Sequence, residues 1–266
     1  MSRGSHSDLA KYVDELQAKG MYWFLRDDAR KRTGSSDIAI EAAIRRLKKK
    51  GRLVAPRRGF IVIVPLEHRV AGAPPASWFI DDLMKYLGQP YYVGLLSAAE
   101  IRGAAHQRPM VFQVITDRPT RPSRAGRNRI EFHMSRRVGE TTVTKEKSET
   151  GTFRVSSPEA TAVDMVRFPG ASGGLSNVAT VLAELSESMT DEKLLKSADL
   201  AKLPEVQRLG FLLDLVGSHD LSESLHQWLA NRPTRKVVLS QREPSRKGAL
   251  NKRWKIIENV NVEPDV

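Results

Sequence analysis

The sequence of 266 residues contains no cysteine. This absence excludes a disulfide scaffold, a cysteine-ligated zinc or iron–sulfur site, and a catalytic thiol. None of its apolar runs approaches the roughly 18–20 residues of a membrane-spanning helix. The polar N-terminal segment is unlike a secretory signal peptide. We therefore expect a cytoplasmic protein that has no membrane partner.

Acidic residues are scarce relative to basic ones. The 43 Lys and Arg residues against 31 Asp and Glu give a net charge of +12 and a pI near 10.0. The excess is banded: residues 1–76 carry 16 basic and 8 acidic side chains, 102–137 carry 9 and 2, and 231–256 carry 9 and 1, whereas 138–230 carry 8 and 14. A protein this basic usually binds a polyanion, and nucleic acid is the first candidate.

The remaining composition is that of a globular protein, with 40% hydrophobic and 28% charged residues. At about 150 residues per domain, the length predicts two domains. A small, Gly/Pro-containing segment at 71–76 separates residues 1–70 from residues 77–266. We place the domain boundary in this linker.

The first 70 residues predict three helices followed by a β-hairpin. Leu9, Tyr12, Val13 and Leu16 form one helical stripe, and Ile40, Ala43, Ile44 and Leu47 form another on a helix over 36–50. A shorter helix over 24–32 fits between them. Two strand-like runs at 52–55 and 60–64 flank a turn. This order is the winged helix-turn-helix pattern.

The face of the third helix opposite its apolar stripe is predicted to meet DNA. Its side chains are small near the N-terminal end, which lets a helix lie deep in a major groove about 12 Å wide. Further along it is basic, and arginine can bind guanine edges or phosphates there. With the residue just before the helix, this face comprises Ser35, Ile38, Ala42, Arg45, Arg46 and Lys49. The predicted DNA contacts are Ser35, Arg45, Arg46, Lys49 and, at the hairpin tip, Arg57 and Arg58. The alternatives are a basic helix that is merely soluble and a winged helix that binds protein.

Residues 77–266 predict a larger α+β domain with a small sheet and a helical block. The expected elements are helices at 77–88 and 91–105, strands at 110–115, 129–134, 141–146 and 152–155, a Pro/Arg/Gly-rich loop at 119–127, mostly helix from 157 to 229, and strand-like runs at 236–239 and 254–257. The Ser-Pro-Glu sequence at 157–159 is a strong helix start.

Two basic segments of this part could add nucleic-acid or partner contacts. The candidate residues are Arg118, Arg121, Arg124, Arg127 and Arg129 in the first segment, and Arg246, Lys247 and Lys252 in the second. The alternative is that both are solvated loops whose charges serve solubility.

Enzyme motifs are missing or incomplete. The glycine-rich run at 170–174 lacks the lysine of a phosphate-binding loop and is interpreted as an interhelix loop. His219 and His226 have no evident third metal ligand. Asp117 and Glu131 could form a nuclease-like carboxylate pair, but His133 stands where the usual lysine would be. We therefore predict no catalytic residue, no metal and no cofactor.

Several phrases occur together in a specific order. They are 91–100 (YYVGLLSAAE), 103–106 (GAAH), 157–164 (SPEATAVD) and 208–213 (RLGFLL), between the winged helix and the KRW sequence at 252–254. With them the chain resembles the AbiEi family of antitoxins from bacterial type IV toxin–antitoxin systems. The resemblance extends from about residue 8 to 258.

The resemblance implies an N-terminal winged helix that represses its own operon by binding promoter inverted repeats. It also implies a C-terminal domain that counteracts a neighbouring AbiEii-like nucleotidyltransferase toxin, classically without forming a stable complex. Family members are linked to abortive infection by phage. No catalytic residue transfers to this chain, because the family has no established antitoxin active site. Two alternatives remain: a winged-helix regulator that senses a small ligand, and a nuclease using Asp117 and Glu131.

Overall fold

The computed structural model describes residues 5–104 and 110–265, with side chains from residue 9 onward. Its helices are α1 (Ser5–Ala18), α2 (Arg26–Thr33), α3 (Asp37–Lys49), α4 (Ile80–Leu87), α5 (Leu95–Ile101), α6 (Pro158–Arg167), α7 (Leu175–Ser186), α8 (Asp191–Asp199), α9 (Leu203–Leu215) and α10 (His219–Ala230). Its strands are β1 (Trp23–Leu25), β2 (Leu53–Arg57), β3 (Phe60–Ile63), β4 (Tyr91–Val93), β5 (Phe112–Thr116), β6 (Ser123–Ala125), β7 (Asn128–Met134), β8 (Val143–Ser148), β9 (Gly151–Ser156), β10 (Val237–Val238), β11 (Ala249–Asn251) and β12 (Ile256–Glu258). The fold is α+β, as the sequence predicts.

The chain forms two compact units that are discontinuous in sequence. Unit 1 comprises the described residues of Met1–Tyr91, Met110–Ser135 and Lys145–Arg154. Unit 2 comprises those of Tyr92–Pro109, Arg136–Thr144 and Val155–Val266. Strand pairing gives a six-stranded sheet in the order β6-β7-β5-β4-β9-β8. The sequence boundaries of the units fall within β4, β8 and β9.

Unit 1 begins with a winged helix-turn-helix. Both predicted stripes are buried in its core, except that Tyr12 is only partly buried. The Ser36 hydroxyl caps α3 by accepting a hydrogen bond from the Ala39 N–H at 3.2 Å. Sheet β1-β3-β2 is antiparallel, and the β2–β3 hairpin is the wing.

The prediction of a helix from residue 24 is wrong at its start. Trp23–Leu25 is strand β1, and Phe24 pairs with Ile61 of β3. Aromatic residues fit a pleated surface, and this pairing is made with a strand 37 positions later in the chain. Helix α2 therefore begins only at Arg26.

Unit 1 continues into a second β-hairpin, β6–β7, which we call the ribbon. Strands β6 and β7 are antiparallel around Gly126, and β7 pairs in parallel with β5. The sequence predicts only a loop at 119–127. That prediction is wrong at β6, where buried Ser123 and Ala125 alternate with exposed Arg124 over three residues, too short a run to reveal a strand.

The segment 71–76 lies in unit 1 and is fixed against the ribbon turn. The Arg127 N–H donates to the Ala71 carbonyl at 2.8 Å, and the Asn128 side-chain amide donates to the Pro74 carbonyl at 2.7 Å. Gly126 has a φ of +55°, and a Cβ at this position would overlap the backbone of Gly72. Only glycine therefore allows this close crossing of two backbones.

Unit 2 contains the helical block α6–α10. Ser157 caps α6 by accepting from the Ala160 N–H at 3.2 Å, which confirms the predicted helix start. The predicted helix over 91–105 is wrong at its beginning. Tyr91–Val93 is strand β4, since aromatic and β-branched residues favour a strand, and α5 begins only after Gly94. Residue 105 lies outside the described residues.

The C-terminal segment returns to pack on α9. The buried Arg208 donates to the Val238 carbonyl at 2.8 Å, and Gln207 donates to the Trp254 carbonyl at 2.7 Å. A Cβ at Gly210 would overlap the buried Trp254 ring. These contacts hold the three-stranded sheet β10-β12-β11 against α9. Strand β11 lies between the strand-like runs at 236–239 and 254–257, where the sequence predicts no strand.

Candidate nucleic-acid interface

The outer face of α3 presents cationic and apolar side chains to solvent. Arg45 and Lys49 are exposed, and neither forms an ion pair with any residue that the structure describes. Arg46 is half-buried. Ile38 has 85% of its surface exposed. Ser35, half-buried in the turn before α3, accepts a hydrogen bond from the Thr33 hydroxyl at 2.8 Å.

The acidic residues of α3 are bound by arginines of α2. Arg26 contacts Glu41 at 3.1 Å and Asp37 at 3.8 Å, and Arg30 contacts Asp37 at 3.6 Å. Hydrogen bonds to Asp27 and then to Glu41 raise the pKa of Arg26. The negative charges nearest the exposed face are therefore paired within the helix-turn-helix, which lowers their repulsion of a phosphate backbone.

The two arginines at the wing tip lie in different environments. The Arg58 side chain is exposed, and its carbonyl accepts a hydrogen bond from the Tyr86 hydroxyl at 2.9 Å. Arg57 is half-buried: its guanidinium donates to the Pro122 carbonyl at 3.1 Å and to the Arg121 carbonyl. It also lies 5.6 Å from the centre of the Phe132 ring. Burial, followed by repulsion from Arg121, lowers the pKa of Arg57.

Arg57 thus fixes the wing to the ribbon. A second contact supports it, because the Ser123 hydroxyl donates to the Pro56 carbonyl at 3.2 Å. The exposed Arg58 of the wing and the exposed arginines of the ribbon consequently lie on two hairpins of different sheets that side-chain hydrogen bonds hold together. Sequence reasoning placed Arg57 among the DNA contacts but did not find this anchoring function, which depends on residues more than sixty positions away.

The candidate arginines in and just before the ribbon differ in their partners. Arg121, Arg124 and Arg127 are exposed. Arg129 forms an ion pair with Glu131 at 2.7 Å, and Arg118 forms one with Asp117 at 3.1 Å. Arg121, Arg124 and Arg127 are therefore the members of this group most available to an anionic ligand.

The third basic segment belongs to unit 2. Arg246, Lys247 and Lys252 are exposed there, whereas the neighbouring Arg253 contacts Glu223 at 2.7 Å. The structure brings Ser35, Arg45, Arg46, Lys49 and the wing together in one winged helix-turn-helix, and it places these three residues in the other unit.

The proposed carboxylate pair of a nuclease is not assembled. Glu131 of β7 lies opposite Gln113 of β5, whereas Asp117 follows the end of β5. At about 3.3 Å per residue, the two acids are roughly 13 Å apart along the ladder, too far to share a metal ion. Among residues 5–104 and 110–265, no group of three or more His, Asp or Glu side chains could hold a metal ion.

Unit 2 contains a buried polar cluster of its own. Asp164 accepts a hydrogen bond from the Tyr92 hydroxyl at 2.8 Å and pairs with Arg167 at 3.2 Å, and Arg167 in turn contacts Glu205. Burial raises the pKa of Asp164 to about 6, against the opposing effect of Arg167. Burial and Asp164 raise the pKa of Tyr92 as well. The two residues are 72 positions apart, so the sequence pattern does not reveal this hydrogen bond.

This cluster lies within the segment that carries the family resemblance. Residues 92–215 match the sequence model of the AbiEi antitoxin C-terminal domain. These residues form an AbiEi antitoxin C-terminal domain. This domain supports an antitoxin role in a toxin–antitoxin system.

The fold of the chain is also found in a solved structure. The crystal structure of the RV2827C protein from Mycobacterium tuberculosis matches it with a TM-score of 0.70 and 17% sequence identity, over 96% of this chain and 92% of that chain. At this identity the likeness concerns the fold alone. A comparison with curated proteins gives no significant match. In the part of the chain that the structure describes, every helix is too short or too polar to span a bilayer.

The short sequence motifs that carry the AbiEi resemblance correspond to specific contacts in the structure. Tyr92 and Asp164, from two different phrases, form the buried hydrogen bond. Arg208 and Gly210, from a third, receive the C-terminal segment and its Trp254. These phrases therefore specify the interior of unit 2. The last two residues of the phrase 103–106 lie outside the described residues.

Proposed function

We propose that the protein is a cytoplasmic type IV antitoxin that binds inverted repeats in its own promoter and represses its operon. In this proposal the AbiEi domain counteracts a nucleotidyltransferase toxin encoded beside it, as part of phage defence. The observation that carries the DNA-binding half is the outer face of α3, where Arg45 and Lys49 are exposed and without ion pairs among the described residues.

The geometry of a winged helix-turn-helix supports this function. In such domains the second helix of the motif enters the major groove with its N-terminal residues against base edges. Here that helix is α3. Arg45 and Lys49 lie on its later turns, where arginine and lysine can bind phosphates or guanine.

The wing and the ribbon extend the cationic surface. Arg57 fixes the wing to the ribbon, so exposed Arg58 is joined structurally to exposed Arg121 and Arg124. We assign Arg58 to phosphate or minor-groove contacts and the ribbon arginines to flanking phosphates. Phosphate contacts increase affinity and position the protein without reading sequence.

The DNA-binding half is tested by a reporter fused to the promoter of the gene. The wild-type protein should repress the reporter, and Arg45→Ala with Lys49→Ala should abolish repression. Lys193→Ala is the control, because it removes an exposed positive charge from α8 in unit 2. Full repression by the double variant would overturn the assignment of α3.

The antitoxin half is tested by co-expression with the neighbouring reading frame. A product that stops growth alone and is harmless with this protein would support the proposal. The α3 double variant should still protect the cells, since its changes lie outside residues 92–215. A neighbouring product that is harmless alone would contradict the toxin assignment.

A further inference from the structure

We infer that Ile38 reads the 5-methyl group of a thymine in the operator. This inference rests on the proposed function, and it adds a residue that determines which sequence is bound. It starts from an unusual exposure: Ile38 is a β-branched residue in the first turn of α3 with 85% of its surface in water.

Ile38 lies at the centre of the outer face of α3. At about 100° per residue, Arg45 is only about 20° from it around the helix axis and Lys49 about 20° on the other side. Ala42 is next to it, one turn further along the helix. The apolar side chain therefore faces the same direction as the two cations assigned to DNA.

At the start of α3, Ile38 extends further into solvent than the neighbouring side chains do. Ala42 has only a methyl group, and Ser35 is bonded to the Thr33 hydroxyl. Glu41, the other polar residue near this face, is bound to Arg26 at 3.1 Å. The N-terminal half of the face thus offers an aliphatic surface, and its C-terminal half offers positive charge.

Thymine fits this pattern among the base edges of the major groove. It presents a methyl group there, whereas the edges of the other three bases present only polar groups beside the C–H of cytosine. The N-terminal residues of a recognition helix meet base edges, while positive charges further along bind phosphates. Covering the methyl and the isoleucine together removes both from water, which favours a thymine opposite Ile38.

The test uses duplexes in which one thymine at a time is replaced by deoxyuridine. Selection from a randomised duplex pool with the wild-type protein first identifies the probe sequence. Deoxyuridine keeps every hydrogen-bonding group and lacks only the methyl, so each replacement measures that methyl alone. At one thymine of each half-site we expect an affinity loss of about fourfold, the value for one buried carbon.

The variant Ile38→Ala should bind the probe more weakly and lose its response to deoxyuridine at that position. Val70→Ala is the matched control, because Val70 is 82% exposed in unit 1 but lies outside α3, and it should keep the full response. Both sites are exposed, so thermal unfolding should be unchanged. Ile38→Val should keep a reduced response.

The outcomes separate the inference from the proposed function. If the wild type selects no sequence and binds no duplex, the proposed function fails. If it binds a specific duplex and no thymine-to-deoxyuridine replacement weakens binding, or if Ile38→Ala responds as the wild type does, then only the thymine assignment is overturned. Failure of Ile38→Ala in toxin protection, with duplex binding intact, would assign the isoleucine to a protein contact instead.

Discussion

Arg57 donates a hydrogen bond to the main-chain carbonyl of Arg121, and through this contact the wing of the winged helix is fixed to the ribbon. The neighbouring arginines of the two hairpins, Arg58 and Arg124, remain exposed. Arg57 therefore holds the two hairpins together, whereas Arg58 and Arg124 are exposed to solvent. The anchoring arginine and the exposed ones should therefore respond differently to substitution.

Arg57→Ala and Arg58→Ala should have different effects. Arg57→Ala leaves the Arg121 and Pro122 carbonyls without their donor and should destabilise unit 1 by about 1–2 kcal/mol in chemical denaturation. Arg58→Ala should leave stability unchanged and should reduce the slope of log affinity against log salt by about 0.9 for one lost phosphate contact. Equal stabilities of the two variants would contradict the anchoring function.

Arg26 should increase DNA affinity without touching DNA. Arg26→Met releases Glu41 from its ion pair and leaves Asp37 with Arg30 as its remaining partner, so more uncompensated negative charge lies beside the proposed DNA-binding face. We expect an affinity loss of about three- to tenfold at low salt that shrinks as salt is raised. In the double variant Arg26→Met, Glu41→Gln, most of the affinity should return. No recovery in a fluorescence-anisotropy titration would show that Arg26 acts in another way.

Gly210 should be intolerant of a single methyl group. In an open helix interior, Gly→Ala stabilises by about 1 kcal/mol. At Gly210 the added Cβ overlaps Trp254, so the sign should reverse and the variant should lose about 1–3 kcal/mol. Gly139→Ala is the control, since a Cβ there has no neighbour within 4 Å. A rise in the denaturation midpoint of Gly210→Ala would contradict the packing of the C-terminal segment on α9.

Asp164 should make stability depend on pH in a defined direction. Its pKa in the folded protein is about 6, against an ordinary value of 3.8, so the folded state holds this proton more tightly than the unfolded state does. The contribution of Asp164 is therefore present below about pH 4 and is lost as pH rises to about 6, a change of about 3 kcal/mol. In Asp164→Asn this dependence should be absent. The stability of the wild type relative to the variant should accordingly fall between pH 4 and pH 7 in urea unfolding, and a rise would contradict the assignment.

Local sequence patterns predicted much of the fold. The stripe through Ile40 and Leu47 and the helix start at Ser157 each depend on neighbours within one or two helical turns, and both are found in the structure. The exposed face of α3 followed from the same periodicity. The winged helix-turn-helix and its outer residues could therefore be derived from the sequence.

The missed features depend on contacts between distant residues. Strand β1 forms because Phe24 pairs with Ile61, and the short β6 forms against β7. The anchoring by Arg57 requires carbonyls of residues 121 and 122, and the Tyr92–Asp164 hydrogen bond joins positions 72 apart. An arginine at a hairpin tip looks the same in sequence whether its guanidinium meets solvent or a carbonyl. Such pairings are set by the tertiary fold.

In the proposed function, α3 binds promoter DNA through Arg45 and Lys49. The most direct test measures the affinity of Arg45→Ala for the promoter inverted repeat across a range of salt concentrations, beside Lys193→Ala. We predict that Arg45→Ala loses at least about tenfold in affinity and about 0.9 in salt slope, whereas Lys193→Ala matches the wild type. Equal affinities and equal slopes for Arg45→Ala and the wild type would contradict the account.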